Sequence, residues 1–210
     1  MDRERITISI KTEVLKMIDK AIDGVELRNR SHAIESLVLN ALDNSAPVKA
    51  VVLLGGDNAI KSADRAIDFI KSLSGFGVKE VIVATGFLGD KVKDKIAKAN
   101  ISDVSIKYSD KGEGSGGAIH ALKKELAGGL FIVYSNADQG EYNLAGLIEF
   151  HKTHNSTATL LTEDLSSMDG IYLFDPSVFT VFPKGYSMLE EDIVPKLAKT
   201  GDLLVCPIVR

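Results

Sequence analysis

Ile6, Ile8 and Ile10 alternate with Arg5, Thr7 and Ser9 near the start of the chain. A period of two puts the isoleucines on one face of a strand and the polar side chains on the other. The period then lengthens. Val14, Leu15, Ile18, Ala21 and Ile22 fall at helical spacing behind Thr12, which reads as an N-cap, with Glu13 in the first turn and Gly24 as the stop. Ile34, Leu37, Val38, Ala41 and Leu42 form a second apolar stripe behind Ser31, read as another N-cap. The first segment is therefore predicted as strand, helix, helix.

Asn44 to Lys49 is a short polar stretch with one proline, and the pattern changes across it. The expected boundary divides residues 1–45 from 46–210. Apolar strand-like runs then recur at 50–54, 80–85, 104–108, 130–135, 157–162, 170–174 and 203–209. Helical patterns lie between them, near 62–73, 89–99, 117–127, 143–154 and 187–199. Alternation with short loops predicts an α/β fold, a Rossmann-like doubly wound sheet. Ligands of such sheets bind beyond the C-terminal strand ends, which directs attention to 55–61, 85–89, 109–117 and 136–142.

Composition narrows the class. The chain is 45% hydrophobic over 210 residues, enough for a packed core. No apolar run reaches the ~18 residues of a membrane span, and the N-terminus has no signal-peptide pattern, so a cytoplasmic protein is expected. The single cysteine, Cys206, excludes a disulfide framework and a cysteine-based zinc site. His151 and His154 are three apart on a helix, but no third metal ligand accompanies them.

One short strand and two helices cannot satisfy two strand edges or bury enough surface alone. Pairing two copies of the strand across a two-fold axis solves both problems. It leaves Arg5, Thr7 and Ser9 on an exposed two-stranded ribbon of a size that enters the DNA major groove. Ser31 opens the second helix, whose N–H groups can meet a phosphate, and Arg28 and Arg30 flank it. Residues 3–43 resemble the ribbon-helix-helix family of the Arc and MetJ type. The resemblance implies a homodimer through residues 1–45, able to join into a higher oligomer, that reads double-stranded DNA. The segment carries seven Lys and Arg against eight Asp and Glu, which departs from the usual basic module.

The strongest local signal in the second segment is the loop Lys111-Gly112-Glu113-Gly114-Ser115-Gly116-Gly117, which follows a strand and opens a helix. Glycines there allow close backbone approach, and the helix N-terminus favours an anion. Gly112-x-Gly114-x-x-Gly117 formally fits a dinucleotide fingerprint, but the first strand–helix turn, where that fingerprint belongs, holds Gly55-Gly56 instead.

Residues 50–205 resemble a shortened sugar-nucleotidyltransferase domain. The ordered pieces are Val51 to Gly56, Val81 to Leu88, Gly114 to Ala118, Phe131 to Asp138 with its Asn136-Ala137-Asp138, Leu147 to His151, Gly170 to Asp175, and Leu189 to Leu197. The resemblance implies nucleotide contacts at Gly55, Gly56, Gly114, Ser115, Gly116, Gly117 and Asp138, with Asp138 also as the Mg2+ ligand. Mg2+ with a nucleotide or nucleotide-sugar is the implied cofactor. The family's Gly-x-Gly-Thr-Arg turn is replaced by Gly55-Gly56-Asp57-Asn58, and its Pro-Lys segment is missing. No lysine stands between 162 and 170, where its Glu-Lys-Pro would fall, and the sequence ends at Arg210, ahead of the family's second metal-binding Asp. Lys61 and Arg65 are the replacement cations on offer, and both also read as solvated helix-face residues.

Cation loss removes the charge stabilisation that phosphoryl chemistry needs. The expectation is therefore a DNA-binding transcriptional regulator with no catalytic residues, whose second domain binds a nucleotide or nucleotide-sugar effector or serves assembly. The alternative is an active sugar-phosphate nucleotidyltransferase with an appended dimerisation ribbon.

Overall fold

A computed structural model describes residues 7–22, 28–42, 49–137, 142–163, 166 and 168–207. The chain divides into two compact units, Met1–Ser45 and Ala46–Arg210.

In the first unit, helix α1 spans Thr12–Ala21 and α2 spans Arg30–Leu42. Ile18 and Ala33 are buried. Arg30 forms a two-pronged ion pair with Asp19, at 2.6 and 2.7 Å, that ties α2 to α1. The helix starts differ from the sequence expectation. Lys11, not Thr12, stands at the cap position of α1 and makes no side-chain cap. At α2, Asn29 does the capping: its Oδ1 accepts the His32 N–H at 3.0 Å, which leaves Ser31 inside the exposed first turn. The expected ribbon strand is not seen. Residues 7–10 lie in no strand, because a lone strand has nothing to pair with in a single chain; Arg5 and Ile6 lie outside the described residues.

The second unit is built on seven strands: β1 Lys49–Leu54, β2 Glu80–Thr85, β3 Ser105–Ser109, β4 Phe131–Ser135, β5 Ala158–Thr162, β6 Gly170–Phe174 and β7 Leu203–Pro207. They lie in the order β3-β2-β1-β4-β6-β5-β7. β1 pairs in parallel with β2 and β4, and β6 runs antiparallel between β4 and β5. Both faces of β1 and β4 are covered, which is why these strands read as unbroken apolar runs. Ala50, Val52, Leu54, Ile132 and Tyr134 join one core, and Val51, Phe131 and Val133 join the other. Helices α3 (Ala59–Ser72), α4 (Gly89–Lys98) and α7 (Leu144–His154) contribute to the first core. α5 (Gly114–Ala121), α6 (Lys123–Leu126) and α8 (Val194–Thr200) contribute to the second.

Three helices differ from their predicted spans. α3 starts at Ala59, directly behind the Gly55-Gly56 turn. The predicted helix 117–127 starts earlier, at Gly114, and breaks at Leu122 into α5 and α6. The predicted helix 187–199 begins as a π-helical turn, Leu189–Ile193, before α8. Pro195 lies just beyond that turn and has no N–H for an ordinary α-helical bond.

Candidate functional site

Chain direction reverses at β1: the connection through α3 leads to β2 on one side, while β4 is reached later on the other. The crevice beyond the C-terminal ends of β1 and β4 is the ligand position of a doubly wound sheet. Gly55 and Gly56 follow β1. Gly56 has φ +73°, and a Cβ on Gly86, after β2, would sit 3.4 Å from the Gly56 nitrogen. Two backbone segments thus meet closely at this corner, and the first turn of α3 follows it. Asp57 is exposed there.

β4 ends in Ser135 and Asn136, and two groups converge on them. Asn136, at φ +48°, accepts on Oδ1 from Ser62 Oγ (3.3 Å) and from Arg65 (3.1 Å), both on α3. Its Nδ2 donates to Asp169 Oδ2 at 3.2 Å. Arg65 is half-buried and held at the strand end, so it is not the solvated helix-face residue that its spacing suggested, whereas Lys61 is exposed. On the other side, Glu190 receives Ser135 Oγ at 2.5 Å on one carboxylate oxygen and Ser115 Oγ at 3.4 Å on the other. Nothing in the spacing of residues 115, 135 and 190 announced that grouping.

The glycine loop is docked against residues 185–188. The Ser187 carbonyl accepts from the N–H of both Gly116 (2.9 Å) and Gly117 (3.2 Å), and Ser187 N–H returns a bond to Glu113. A Cβ on Gly112 would lie 2.2 Å from the Gly117 oxygen. Gly116 and Gly117 therefore spend their amides inside the protein and do not offer them to an anion. Asp138 lies outside the described residues.

The two histidines do not share a metal. His151 is buried, and its Nδ1 pairs with Thr159 Oγ1 at 2.8 Å, while His154 is exposed and pairs with its own helix at Phe150 O. Burial holds the His151 pKa below its ordinary value. Among the described residues no three His, Cys, Asp or Glu side chains come together, and no helix is long and apolar enough to cross a membrane.

No family model matches the chain, and no curated protein matches it in sequence. Solved structures do match its fold. HddC from Yersinia pseudotuberculosis aligns with TM-score 0.61 and 18% identity, over 76% of this chain and 90% of that one; another HddC structure holds GMP-PN. A putative glucose-1-phosphate thymidylyltransferase from Bacillus anthracis aligns with TM-score 0.57 and 16% identity, over 77% and 87%. A UDP-glucose pyrophosphorylase complexed with UDP-glucose aligns with TM-score 0.55 and 11% identity, over 78% and 91%. The fold is thus nucleotidyltransferase-like.

These neighbours overturn the regulator expected from the sequence. They match some three quarters of the chain through this nucleotidyltransferase-like fold, and none of them is a DNA-binding regulator by its description. The first unit gives the DNA reading no support. Arg30, expected at a phosphate, is locked onto Asp19. Thr7 and Ser9 are exposed but form no ribbon, Arg28 and Ser31 are exposed near the start of α2, and Arg5 is outside the described residues.

Proposed function

We propose that the chain is a nucleotidyltransferase that joins a nucleoside triphosphate to a sugar 1-phosphate. In that reaction a phosphate oxygen of the sugar phosphate bonds to the α-phosphorus, the bond to the β-phosphate oxygen breaks, and diphosphate leaves. The supporting observation is Arg65. The Arg of the Gly-x-Gly-Thr-Arg turn is absent, yet Arg65, on the helix that follows the Gly55-Gly56 turn, brings a guanidinium to Asn136 at the end of β4. A guanidinium is a planar donor suited to phosphate oxygens, and charge stabilisation is the main demand of this chemistry. The Gly55-Gly56 corner lets a triphosphate approach the backbone at the start of α3. The loop Gly114–Gly117 with Ser115 walls the nucleotide side, by packing and not by amides turned to the ligand.

Asp138 is the residue the sequence offers to Mg2+. Residues 1–45 are proposed as an appended dimerisation module. Ile8, Val14, Met17 and Val38 are all exposed large apolar side chains within it, an arrangement that a second copy would cover.

The test is diphosphate release from each nucleoside triphosphate paired with a panel of sugar 1-phosphates and Mg2+. Release is expected from one pairing, dependent on both substrates and lost in Asp138→Ala. A folded protein that releases none from any pairing overturns the reading.

A further inference from the structure

Ser115 lies in the first turn of α5 and Ser135 closes β4, and Glu190 bonds to both. Its carboxylate takes one hydroxyl on each oxygen. Charge-assisted bonds of this kind are roughly twice as strong as neutral ones. The segment that carries Glu190 is itself fixed at several points. Leu189 N–H donates to Ser115 Oγ at 2.7 Å, Met188 N–H donates to Asp192 at 2.7 Å, and the Ser187 carbonyl takes the Gly116 and Gly117 amides. The π-helical turn that starts at Leu189 sets the residue's place; such turns are rare and gather at functional sites.

We propose that Glu190 is a positioning residue for the nucleotide, locking the glycine loop to the end of β4 at the spacing a bound base requires. This rests on the nucleotidyltransferase reading. Both carboxylate oxygens are engaged by serines, so Glu190 acts through the loop and not on the reacting phosphorus. Its negative charge suits the base side of the proposed site better than the triphosphate side, to which Arg65 is assigned.

The experiment compares wild type, Glu190→Ala and Glu190→Gln by steady-state kinetics. Calorimetric titration with the preferred nucleoside triphosphate alone runs in parallel, and circular dichroism monitors the fold. Glu190→Ala is expected to raise both the nucleotide KM and its Kd about tenfold, the scale of one lost charge-assisted bond. kcat and the sugar-phosphate KM should stay within about twofold. Glu190→Gln keeps an acceptor for Ser135 and should recover most of the loss. Should Glu190→Ala misfold, Ser135→Ala removes the shorter bond alone and should show the same KM effect in smaller measure. A folded Glu190→Ala protein with wild-type nucleotide affinity overturns the proposal, as does a fall in kcat with KM unchanged. Wild type that binds no nucleotide overturns the transferase reading itself, and the proposal with it.

Discussion

A Cβ on Gly114 would lie 2.3 Å from the carbonyl oxygen of Ser187. The glycine has φ +75°, so a side chain there meets strain and collision together. Gly56 is a natural control, because its φ is +73° but nothing lies within 4 Å of a Cβ. Gly56→Ala should cost about 1 kcal/mol from backbone strain alone. Gly114→Ala should cost about 2–4 kcal/mol, because residues 185–188 must also move. Urea unfolding of both variants measures the difference. Equal losses would mean that the loop does not depend on its contact with Ser187.

Arg65 and Lys61 sit one turn apart on α3, and the structure separates them. Arg65 reaches Asn136, and Lys61 is exposed. Arg65→Ala should lower kcat/KM for diphosphate release by about 10²–10³, the usual loss of a charge-stabilising donor. Lys61→Ala should change it less than about threefold. If the two effects came out alike, Arg65 would have no special place in the reaction.

The sheet was legible because β1 and β4 are covered on both faces, and a strand in that position has to be apolar throughout. The glycine loop was legible as a loop, but its purpose was not. Only the fold reveals that Gly114, Gly116 and Gly117 are small because Ser187 and Gly185 press on them from some seventy residues away. Arg65 was undervalued for a similar reason: helical spacing gives its face, but Asn136, the group it meets, follows β4, some seventy residues further along the chain. In the first unit, local cap rules favoured Ser31 over Asn29, two residues apart, and side-chain geometry decided for Asn29. The alternation of Ile6, Ile8 and Ile10 did not translate into a strand, because residues 7–10 find nothing to pair with in a single chain.

His151 makes stability depend on pH. It is buried against Thr159, and burial lowers its pKa below the 6.5 of a free imidazole. Between the folded and unfolded values the unfolded chain binds more protons, so stability rises with pH across that interval. The contribution is fully present above about 6.5 and is lost as pH falls through that value towards the folded pKa. His151→Gln keeps a hydrogen-bonding group for Thr159 and removes the titration. Unfolding free energies at pH 5 and 7.5, below and above the ordinary imidazole value, should differ less in the variant than in wild type. An unchanged difference would place the pH dependence elsewhere.

The first unit should report its partner through Ile8. This residue is 53% exposed, and on α1 Met17 is 69% exposed, values out of keeping with side chains this apolar. Ile8 also lies in the alternating segment, where pairing with a second copy would satisfy the free backbone edges and cover the isoleucines at the same time. Ile8→Lys would place a charge in that shared core and leave the sequence of the second unit unchanged. Sedimentation should find wild type dimeric at micromolar concentration and Ile8→Lys monomeric. Thr7→Lys, one residue away on the opposite face of the alternation, should remain dimeric. A monomeric wild type would remove the dimerisation role from residues 1–45. If Thr7→Lys broke the dimer as well as Ile8→Lys, the contact would not follow the two-residue alternation from which it is inferred.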